Sequence, residues 1–470
     1  MKTTSFSDHA VVLGASMAGL LAARVLADVY DRVTVVERDI LPSDLVNRRG
    51  VPQGRHLHTL HARGRKLLDE LFPGFAADAV QAGAVTADTL GSCRVHASGQ
   101  HLRQADIGLP LLGASRPFLE GHVRHRVKAL PSVHFIEGCE ATGLVTGNDR
   151  RVTGVRVVHH EEGSTEQKVF ADLVIDATGR GSRTPRWLKQ LGYPPPEVDR
   201  VEIRLGYSSR RYRLRPGALG DDVAIFTGPT LANPRAGAVA PLEDGQHMVT
   251  LAGILGDHPP LNPAGFDAFA ATLCFPDIAQ ALVGATPLDD PVPSRFPVSV
   301  RHRYEQLRRF PAGLLVIGDA VCSFNPIYGQ GMTVAAMEAA MLRDMLRGGS
   351  PPAPRQYFRR IAKIIDTPWE IAVGGDLAFP GVPGRRTAKV RIVNAYLPRL
   401  HAAATTDSSL GRAFIQVVGM VDRPETLVRP DRALRVLWAH LRGAPTPANG
   451  PTSPGGARGP AAQSPVESTG

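Results

Sequence analysis

The first forty residues show the clearest pattern of hydrophobic and polar positions in the chain. An apolar run at 10–13 (AVVL) precedes a glycine-bearing turn, a segment with helical spacing and a second apolar run that ends at Glu37. Short apolar runs bounded by turn residues are typical of buried strands, whereas a longer run with a 3.6-residue period predicts a helix. The N-terminal region therefore predicts a strand, a helix and a second strand.

The same patterns recur along the rest of the chain. Helical spacing predicts helices at 57–71, 116–130 and 331–347. Apolar or alternating runs predict strands within 83–104, 133–138, 152–160, 168–179, 201–207, 223–227 and 247–255, and from 314 onwards. In the run at 201–207, the two-residue period places Val201, Ile203, Leu205 and Tyr207 on one face. Residues 356–442 read as mostly helical, with a Pro/Gly interruption at 379–384.

These elements predict an α/β protein with a discontinuous Rossmann-type nucleotide-binding domain, an inserted β-sheet substrate domain and a helical C-terminal region. The predicted nucleotide-binding parts are 1–82, 114–200 and 299–350; the others are a substrate-domain excursion at 83–113, the β-sheet domain at 201–298, the helical region at 351–442 and a disordered tail at 443–470. The tail is rich in Pro, Gly, Ser and Ala, so no apolar burial would offset the entropy lost on ordering it.

Composition narrows the class of protein. The chain has 470 residues, 43% of them hydrophobic, and its four cysteines form no close pair, which disfavours a zinc site and a secreted disulfide framework. Residues 1–9 are polar and no apolar run reaches 18 residues, so we expect a cytoplasmic protein without a signal peptide. The net charge is +10, but basic residues occur throughout the chain and no nucleic-acid-binding module is evident, so we expect no nucleic-acid partner.

The turn after the first strand carries a dinucleotide-binding fingerprint. Gly14, Ser16 and Gly19 occupy the three glycine positions of G-x-G-x-x-G, with Ser16 in place of the second glycine. A small residue there lets a pyrophosphate approach the backbone, and the following helix offers amide groups and partial positive charge. Glu37 ends the second strand, where a carboxylate accepts hydrogen bonds from ribose hydroxyls, which indicates an unphosphorylated adenosine.

The same turn also fits, less well, the G-x-S-x-G nucleophile elbow of hydrolases. Ser16 would then be the nucleophile, but Ala18 stands where that elbow needs a glycine, and no downstream Asp and His pair is marked. Acyl hydrolysis is therefore disfavoured.

A second chemical signal lies at 314–332, LLVIGDAVCSFNPIYGQGM. An apolar strand ends at Gly318 and Asp319, which places a carboxylate at the edge of the sheet where α/β folds bind ligands. Pro326, Gly329 and Gly331 then lead into a helix whose positive end would face a ligand group that gains negative charge.

Together these segments resemble the FAD-dependent group A monooxygenases typified by para-hydroxybenzoate hydroxylase. The resemblance rests on GASMAG with Glu37, on DLVIDATGRGSR at 172–183 and on GDAVCSFNPIYGQGM at 318–332, and it covers about residues 9–440. Within that group, GVPQGRHLH at 50–58 and FNPIYGQGM most resemble the flavin epoxidases of polyether antibiotic biosynthesis.

The resemblance implies FAD as the cofactor, so the nucleotide-binding domain would be an FAD-binding domain. Glu37 would hold the adenosine ribose, Asp319 the ribityl chain, and residues 326–332 would flank the isoalloxazine. The implied cofactor-binding residues are Gly14, Ser16, Ala18, Gly19, Glu37, Arg38, Arg55, Arg116, Ala177, Gly179, Asp319, Pro326, Gly329, Gly331 and Met332. One departure is Asp176-Ala177-Thr178-Gly179, where para-hydroxybenzoate hydroxylase has an Asp-Gly pair, so nicotinamide contacts do not transfer simply.

By this resemblance, NAD(P)H transiently reduces the flavin and a C4a-hydroperoxide delivers one oxygen atom of O2 to a small lipophilic substrate. Alkene epoxidation in secondary metabolism is the favoured reaction, and no amino-acid side chain is nominated as catalytic. Hydroxylation of an aromatic or quinone ring, an FAD-dependent prenyl reductase and a non-catalytic binding role stay open. No second glycine fingerprint is present, so a separate reductase also stays open. The W-x-W-x-I-P element of flavin halogenases is absent, which disfavours halogenation.

Two further patterns have competing interpretations. His56, His58 and His61 do not share one face of a helix, so we expect packing or contacts near the flavin and no metal site. The segment 431–442 spaces Leu434, Leu437, Trp438 and Leu441 as one apolar stripe, which predicts either packing on the protein itself or peripheral membrane contact. The sequence leaves the oligomeric state open.

Overall fold

The computed structural model describes residues 8–348 and 351–443, and within them it contains twenty strands and twelve α-helices. The strands are β1 (His9–Leu13), β2 (Arg32–Val36), β3 (Thr59–Leu60), β4 (Val85–Asp88), β5 (Cys93–Ala97), β6 (Gln100–His101), β7 (Pro110–Gly113), β8 (Val133–Ile136), β9 (Cys139–Thr146), β10 (Val152–His159), β11 (Gln167–Phe170), β12 (Leu173–Asp176), β13 (Val198–Arg213), β14 (Ala224–Thr227), β15 (Arg235–Pro241), β16 (His247–Gly253), β17 (Thr286–Pro287), β18 (Val292–His302), β19 (Leu314–Val316) and β20 (Cys322–Ser323).

The helices follow in the same chain order. They are α1 (Met17–Leu26), α2 (Ala62–Leu71), α3 (Phe75–Gln81), α4 (Arg116–Lys128), α5 (Thr184–Gln190), α6 (Pro263–Ala270), α7 (Asp277–Leu282), α8 (Gly331–Leu346), α9 (Pro354–Asp376), α10 (Ala388–Ala403), α11 (Ser408–Val418) and α12 (Pro430–Leu441). The predicted disordered tail at 443–470 lies, apart from Gly443, outside the described residues.

A five-stranded parallel sheet forms the centre of the region that the sequence predicts to bind a nucleotide. Its order is β19-β12-β1-β2-β8, and every neighbouring pair is parallel. All five residues of β1 are buried, as expected for a strand covered on both faces. Helix α1 returns the chain from β1 to β2 and packs against α8 and α4. The predicted α/β fold with a Rossmann-type sheet and a helical C-terminal region is confirmed.

A second, mainly antiparallel sheet of nine strands lies beyond it. Its order is β20-β18-β13-β16-β15-β14-β5-β6, with β17 paired to β13. Strands β5 and β6 come from the 83–113 segment and join this sheet through the parallel pairing of β5 with β14. The edge strand β20 follows β19 by five residues, so one short segment connects the two sheets. Strand β15 lies between β16 and β14, near the centre of this sheet. The sequence analysis did not predict this strand.

The alternation predicted for 201–207 is interrupted by an irregularity. Val201, Ile203 and Leu205 are buried in the main core, and Tyr207 packs against it half-buried. Between Glu202 and Leu205 the pairing of β13 with β18 shifts register. Arg204 there has φ +48°, a left-handed conformation typical of a bulge.

The helix predicted for 57–71 begins five residues late, so that prediction was wrong for 57–61. Leu57 donates its amide to Thr250 Oγ1 at 3.3 Å, and β3 pairs with β7. These tertiary partners hold the segment extended, and α2 starts only at Ala62. Across residues 8–348 and 351–443, no helix is long and apolar enough to cross a membrane.

Candidate functional site

Four strand ends meet at one edge of the parallel sheet. Gly14 follows β1, Glu37 follows β2, Ala177 follows β12 and Gly318 lies two residues beyond β19. Because these strands are parallel, their carboxyl ends share one edge, which is where open α/β sheets bind ligands. The two motifs that lie 300 residues apart in sequence are therefore neighbours in the structure.

The glycines of this edge are closely packed. A Cβ on Gly19 would lie 1.8 Å from the carbonyl oxygen of Gly14, and a Cβ on Gly14 would lie 2.7 Å from that of Ala177. A Cβ on Gly318 would lie 2.7 Å from the Cβ of Ala18. The turn before α1 thus touches both the β12 turn and the β19 turn, and none of these three positions has room for a side chain.

The first turn of α1 has no capping side chain. Ser16 occupies the N-cap position, but its side chain makes no hydrogen bond to the first turn, which carries no acidic residue. Its hydroxyl instead donates to Glu120 at 2.8 Å and accepts from Arg116 Nη2 at 3.0 Å. Buried Arg116 therefore lies beside the helix terminus, where cation and helix dipole both favour negative charge.

Glu37 belongs to a buried cluster of charges below this turn. Its carboxylate accepts from the amides of Ala15 at 2.7 Å and Asp39 at 3.1 Å. The guanidinium of Arg48 lies 3.3 Å from Glu37, 2.9 Å from Asp39 and 3.1 Å from Glu120. Glu37 consequently has protein partners of its own, besides any ribose hydroxyl it could bind.

Arginine partners also set the charge state of Glu120. Burial raises the pKa of its carboxyl, but Arg116 and Arg48 outweigh that effect and hold the pKa below its ordinary value. The sequence analysis missed Glu120 and Arg48. The four-residue spacing of Arg116 and Glu120 on α4 was a signal for the first, whereas Arg48 lies in a loop without any local signal.

Asp319 lies in the turn that follows β19, and we call the edge formed by the β1, β12 and β19 turns the cleft. Asp319 is exposed, but the many protein groups around it reduce the hydration of its carboxyl. This raises the pKa of the carboxyl, against the attraction of Arg180 and Arg116. A Cβ on Gly179 would lie 3.8 Å from that of Asp319, so the β12 and β19 turns face each other there. Arg180 also lies over the Phe296 ring of β18, 5.6 Å from its centroid, which connects the cleft to the nine-stranded sheet.

Asp176 shapes the β12 turn from inside. It is fully buried, and its carboxylate accepts from the amide and hydroxyl of Thr178 at 2.9 and 2.6 Å, and from the hydroxyls of Ser182 and Thr184, both at 2.6 Å. These bonds fix the turn that presents Ala177 and Gly179 to the cleft. Ala177 is buried and donates its amide to Leu13, whereas Gly179 has a positive φ of 70°.

The loop before α8 is fixed from two sides. Asn325 caps the turn by accepting from the amide of Ile327 at 3.0 Å, and it donates to Asp376 at 2.8 Å. The hydroxyl of Tyr328 also hydrogen-bonds Asp376, whose pKa burial raises to about 7. His61 Nε2 lies 3.1 Å from the carbonyl oxygen of Tyr328. These hydrogen bonds fix the backbone of 326–331.

Open space adjoins the N-terminus of α8. A Cβ on Gly331, its first residue, would meet no protein atom within 4 Å. The side-chain amide of the neighbouring Gln330 is buried and has no hydrogen-bond partner within the part of the chain that the structure describes. Met332, by contrast, is buried in the core. The start of α8 therefore has the room and the free polar groups that a ligand would need.

The three histidines of 56–61 have different partners. His56 Nδ1 lies 2.9 Å from Ser209 Oγ, and its ring packs edge-on against Tyr207 with centroids 4.6 Å apart. His58 Nδ1 lies 3.0 Å from the carbonyl oxygen of His56. No group of three His, Cys, Asp or Glu residues that could hold a metal ion occurs in ranges 8–348 and 351–443. His56 and Tyr207 instead form a polar pair that the sequence analysis did not predict.

Two predicted cofactor residues lie at the periphery. Arg38 is exposed, with Nη2 3.4 Å from the carbonyl oxygen of Gly50. Arg55 is exposed at the end of the short turn Pro52–Arg55. Neither residue takes part in the hydrogen bonds that organise the four strand ends, so their predicted cofactor contacts stay predictions.

Glu338 on α8 predicts a pH dependence of stability. Burial and the charge of Asp319 raise its pKa to about 8, although its carboxylate accepts from the amide of Gly318 at 2.7 Å. The folded protein therefore keeps a proton that the unfolded chain releases near its ordinary pKa of 4.5. The free energy of unfolding should fall as pH rises from 4.5 to about 8, by about 1.4 kcal/mol per pH unit. Glu338→Gln cannot ionise, so it should flatten this slope in urea unfolding; an unchanged slope would contradict the assignment.

Comparison with known proteins adds the family. Protein Rv3254 of Mycobacterium tuberculosis is 35% identical over 430 residues, which are 88% of this chain and 90% of that protein. The chain belongs to the family of Protein Rv3254. A kynurenine 3-monooxygenase of Salinispora arenicola is 28% identical to the present chain over 351 residues, which are 72% of each chain. No protein-family model matches the chain.

Solved structures with the same fold as the present chain are known. The flavin-dependent brominase Bmp2 superposes with a TM-score of 0.64 at 14% identity, over 92% of this chain and 98% of that one. PqsL of Pseudomonas aeruginosa, described as a probable FAD-dependent monooxygenase, superposes with a TM-score of 0.56 at 16% identity, over 87% and 99%. The chain therefore has the group A flavin monooxygenase fold. The narrower likeness to polyether epoxidases is not distinguished by these comparisons.

The residues of the cleft fit FAD. The free first turn of α1 beside Arg116 suits a pyrophosphate, and Asp319 offers a carboxylate to the hydroxyls of a sugar chain. The space at Gly331 and the unpartnered amide of Gln330 leave room and hydrogen-bonding capacity for a flat polar ring. The donor set and the open space agree with one another.

Proposed function

We propose that this protein is an FAD-dependent monooxygenase that transfers one oxygen atom of O2 to a lipophilic organic substrate, with NAD(P)H as electron donor. The observation that carries the proposal is the meeting of the α1 turn with the β19 turn, which puts an anion site and the Asp319 carboxylate in one cleft. The fold and the relatives support the same conclusion.

The proposed cofactor contacts follow the cleft. Arg116 and the amides of α1 would hold the pyrophosphate, Glu37 the adenosine ribose and Asp319 the ribityl chain. The start of α8 at Gly331 would face the flavin ring. Bound FAD would supply the chemistry of hydride acceptance and oxygen activation, which amino-acid side chains do not provide.

The chain itself would position the substrate and exclude water. Ile203, Leu205 and Phe296 of the nine-stranded sheet belong to the same buried cluster as Ala177 and Met332 of the cofactor cleft. An apolar sheet face beside the cleft favours a lipophilic substrate and keeps water from the reacting groups. Because Ile203, Leu205 and Phe296 are all apolar, we favour epoxidation of an alkene.

Hydroxylation of a phenol is the second candidate, because of one specific pair. Burial and Arg55 lower the pKa of His56 to about 4, so its imidazole is neutral at pH 7, although a weaker base than an exposed histidine. Tyr207 packs against this ring, and burial raises the pKa of its phenol. This pair lies on the nine-stranded sheet. If the substrate is a phenol, His56 would accept the proton of its hydroxyl group.

Oxygen consumption coupled to substrate tests the proposed function. The purified protein should contain flavin, and a lipophilic alkene should stimulate NAD(P)H oxidation only when O2 is present. Phenols, screened in parallel, test the second candidate, and His56→Ala should then slow phenol turnover while sparing alkene turnover. A prenyl reductase would instead convert its substrate under anaerobic conditions, and turnover without O2 would refute the monooxygenase proposal.

A further inference from the structure

Helix α12 exposes one complete apolar stripe. Leu434, Leu437, Trp438 and Leu441 are 55%, 51%, 58% and 73% exposed. Their spacing of three, one and three residues places them on the same face over two helical turns. Isolated exposed leucines are common on protein surfaces, but a continuous stripe with a tryptophan marks a contact surface.

The opposite face of α12 is the one that packs on the protein. Val436 is buried and Ala439 partly buried in a cluster with Leu427, Leu397 and Leu400. Of the two interpretations of this segment, packing of the stripe on its own protein is therefore not found within the described residues. The stripe points away from the body of the molecule.

Helix α10 extends the apolar surface. It packs against α12, and the hydroxyl of Tyr396 donates to the carbonyl of Leu427 at 2.8 Å. Ile392 and Val393 lie four residues before Tyr396 and Leu397, so they occupy the same face of α10 one turn earlier. They are 67% and 38% exposed.

The segment 385–443, which includes the stripe, holds most of the net positive charge of the protein. Residues 385–443 contain eleven Lys or Arg and four Asp or Glu, a net charge of +7 out of +10 for the whole chain. Arg442 lies over the ring of Trp438, 5.2 Å from its centroid. A helix with leucine and tryptophan on one face and Arg435 and Arg442 along one side of that face has the composition of interfacial helices that bind anionic lipid.

Two other occupants fit this surface poorly. The segment 444–470 contains a single large apolar residue, Val466, and one acid for one base, so it offers neither apolar area nor negative charge. A second copy of the chain would bring together two segments that each carry a net charge of +7, and like charges at an interface oppose association.

We propose that the stripe of α12, with its basic surround, is a docking surface for an anionic membrane. The helix would lie in the plane of the interface, with Leu434, Leu437, Trp438 and Leu441 among the acyl chains and the arginines at the phosphates. The proposal stands on the exposed surface and its charge, and it does not depend on the proposed oxygenase activity.

Vesicle binding of the full chain tests this surface. The protein should sediment with phosphatidylcholine vesicles that contain phosphatidylglycerol and should not sediment with phosphatidylcholine alone. Binding should weaken as salt rises from about 0.1 M to about 1 M, because the Debye length falls from about 10 Å to about 3 Å. Trp438 provides a direct signal, since Trp187 and Trp369 are buried at 3% and 7% exposure. Its fluorescence should shift to the blue on binding.

Matched variants distinguish binding through the stripe from non-specific adsorption of exposed apolar side chains to vesicles. Leu437→Glu with Leu441→Glu should lower vesicle affinity by about tenfold or more and abolish the fluorescence shift, without loss of thermal stability, because both side chains are exposed. Phe170→Glu, at an equally exposed apolar position on β11, should bind like the parent. Absence of vesicle binding, equal binding of both variants, or a stripe-dependent dimer on size-exclusion chromatography would each overturn the proposal.

Discussion

Asp319→Ala should weaken FAD binding by about 30-fold to about 100-fold. The carboxylate lies in the cleft, where reduced hydration raises its pKa against the attraction of Arg180 and Arg116. A hydrogen bond to a charged group contributes about 2 to 3 kcal/mol, and about 1.4 kcal/mol corresponds to tenfold in affinity. Titration of the apoprotein with FAD, followed by flavin fluorescence, measures the loss.

The apoprotein should tolerate this substitution. Since Asp319 is exposed and its charge is disfavoured where it stands, alanine there should leave the melting temperature unchanged or slightly higher. Asp319→Asn keeps an acceptor and should retain part of the affinity. Full FAD affinity in Asp319→Ala would show that the β19 turn does not contact the cofactor.

Gly19→Ala should have the largest effect on the fold. Its Cβ would lie 1.8 Å from the carbonyl oxygen of Gly14, and that atom belongs to backbone which cannot rotate away. Helix α1 would have to move off the β1 turn, at a cost of about 3 kcal/mol or more. We expect a lower melting temperature and loss of FAD together.

Gly331→Ala is the matched control for this steric argument. A Cβ there meets no protein atom within 4 Å, and alanine is favourable in a helix. The melting temperature of the apoprotein should therefore stay the same or rise. FAD affinity should nevertheless fall, because the methyl group would enter the space assigned to the flavin. Unchanged FAD affinity in this variant would remove α8 from the cofactor site.

The local patterns predicted much of the fold. The continuous apolar runs of β1 and β19 and the helical spacing of α4 and α8 require only periodicity to be recognised. The extended segment at 57–61 could not be predicted this way, since Thr250 and β7 hold it from distant parts of the chain. Strand β15 was missed because the small residues of its sequence, RAGAVAP, carry little strand signal, and its central place depends on pairing with β14 and β16.

In the candidate site too, local sequence patterns identified some residues, whereas tertiary contacts alone bring the others together. Gly14, Gly19 and Asp319 were recognisable because turn geometry and the end of a strand demand those residue types. The cluster of Arg48 with Glu37 and Glu120 was not, because three separate elements bring these charges together. The pair of His56 and Tyr207 likewise depends on the approach of a loop to β13, which no local pattern encodes.

A crystal structure of the protein with FAD tests the central claim most directly. The account predicts one FAD per chain in a single continuous cleft, with its pyrophosphate at the N-terminus of α1, its ribityl chain beside Asp319 and its ring at Gly331. Density for the cofactor elsewhere, or contact with only one of the two turns, would contradict it.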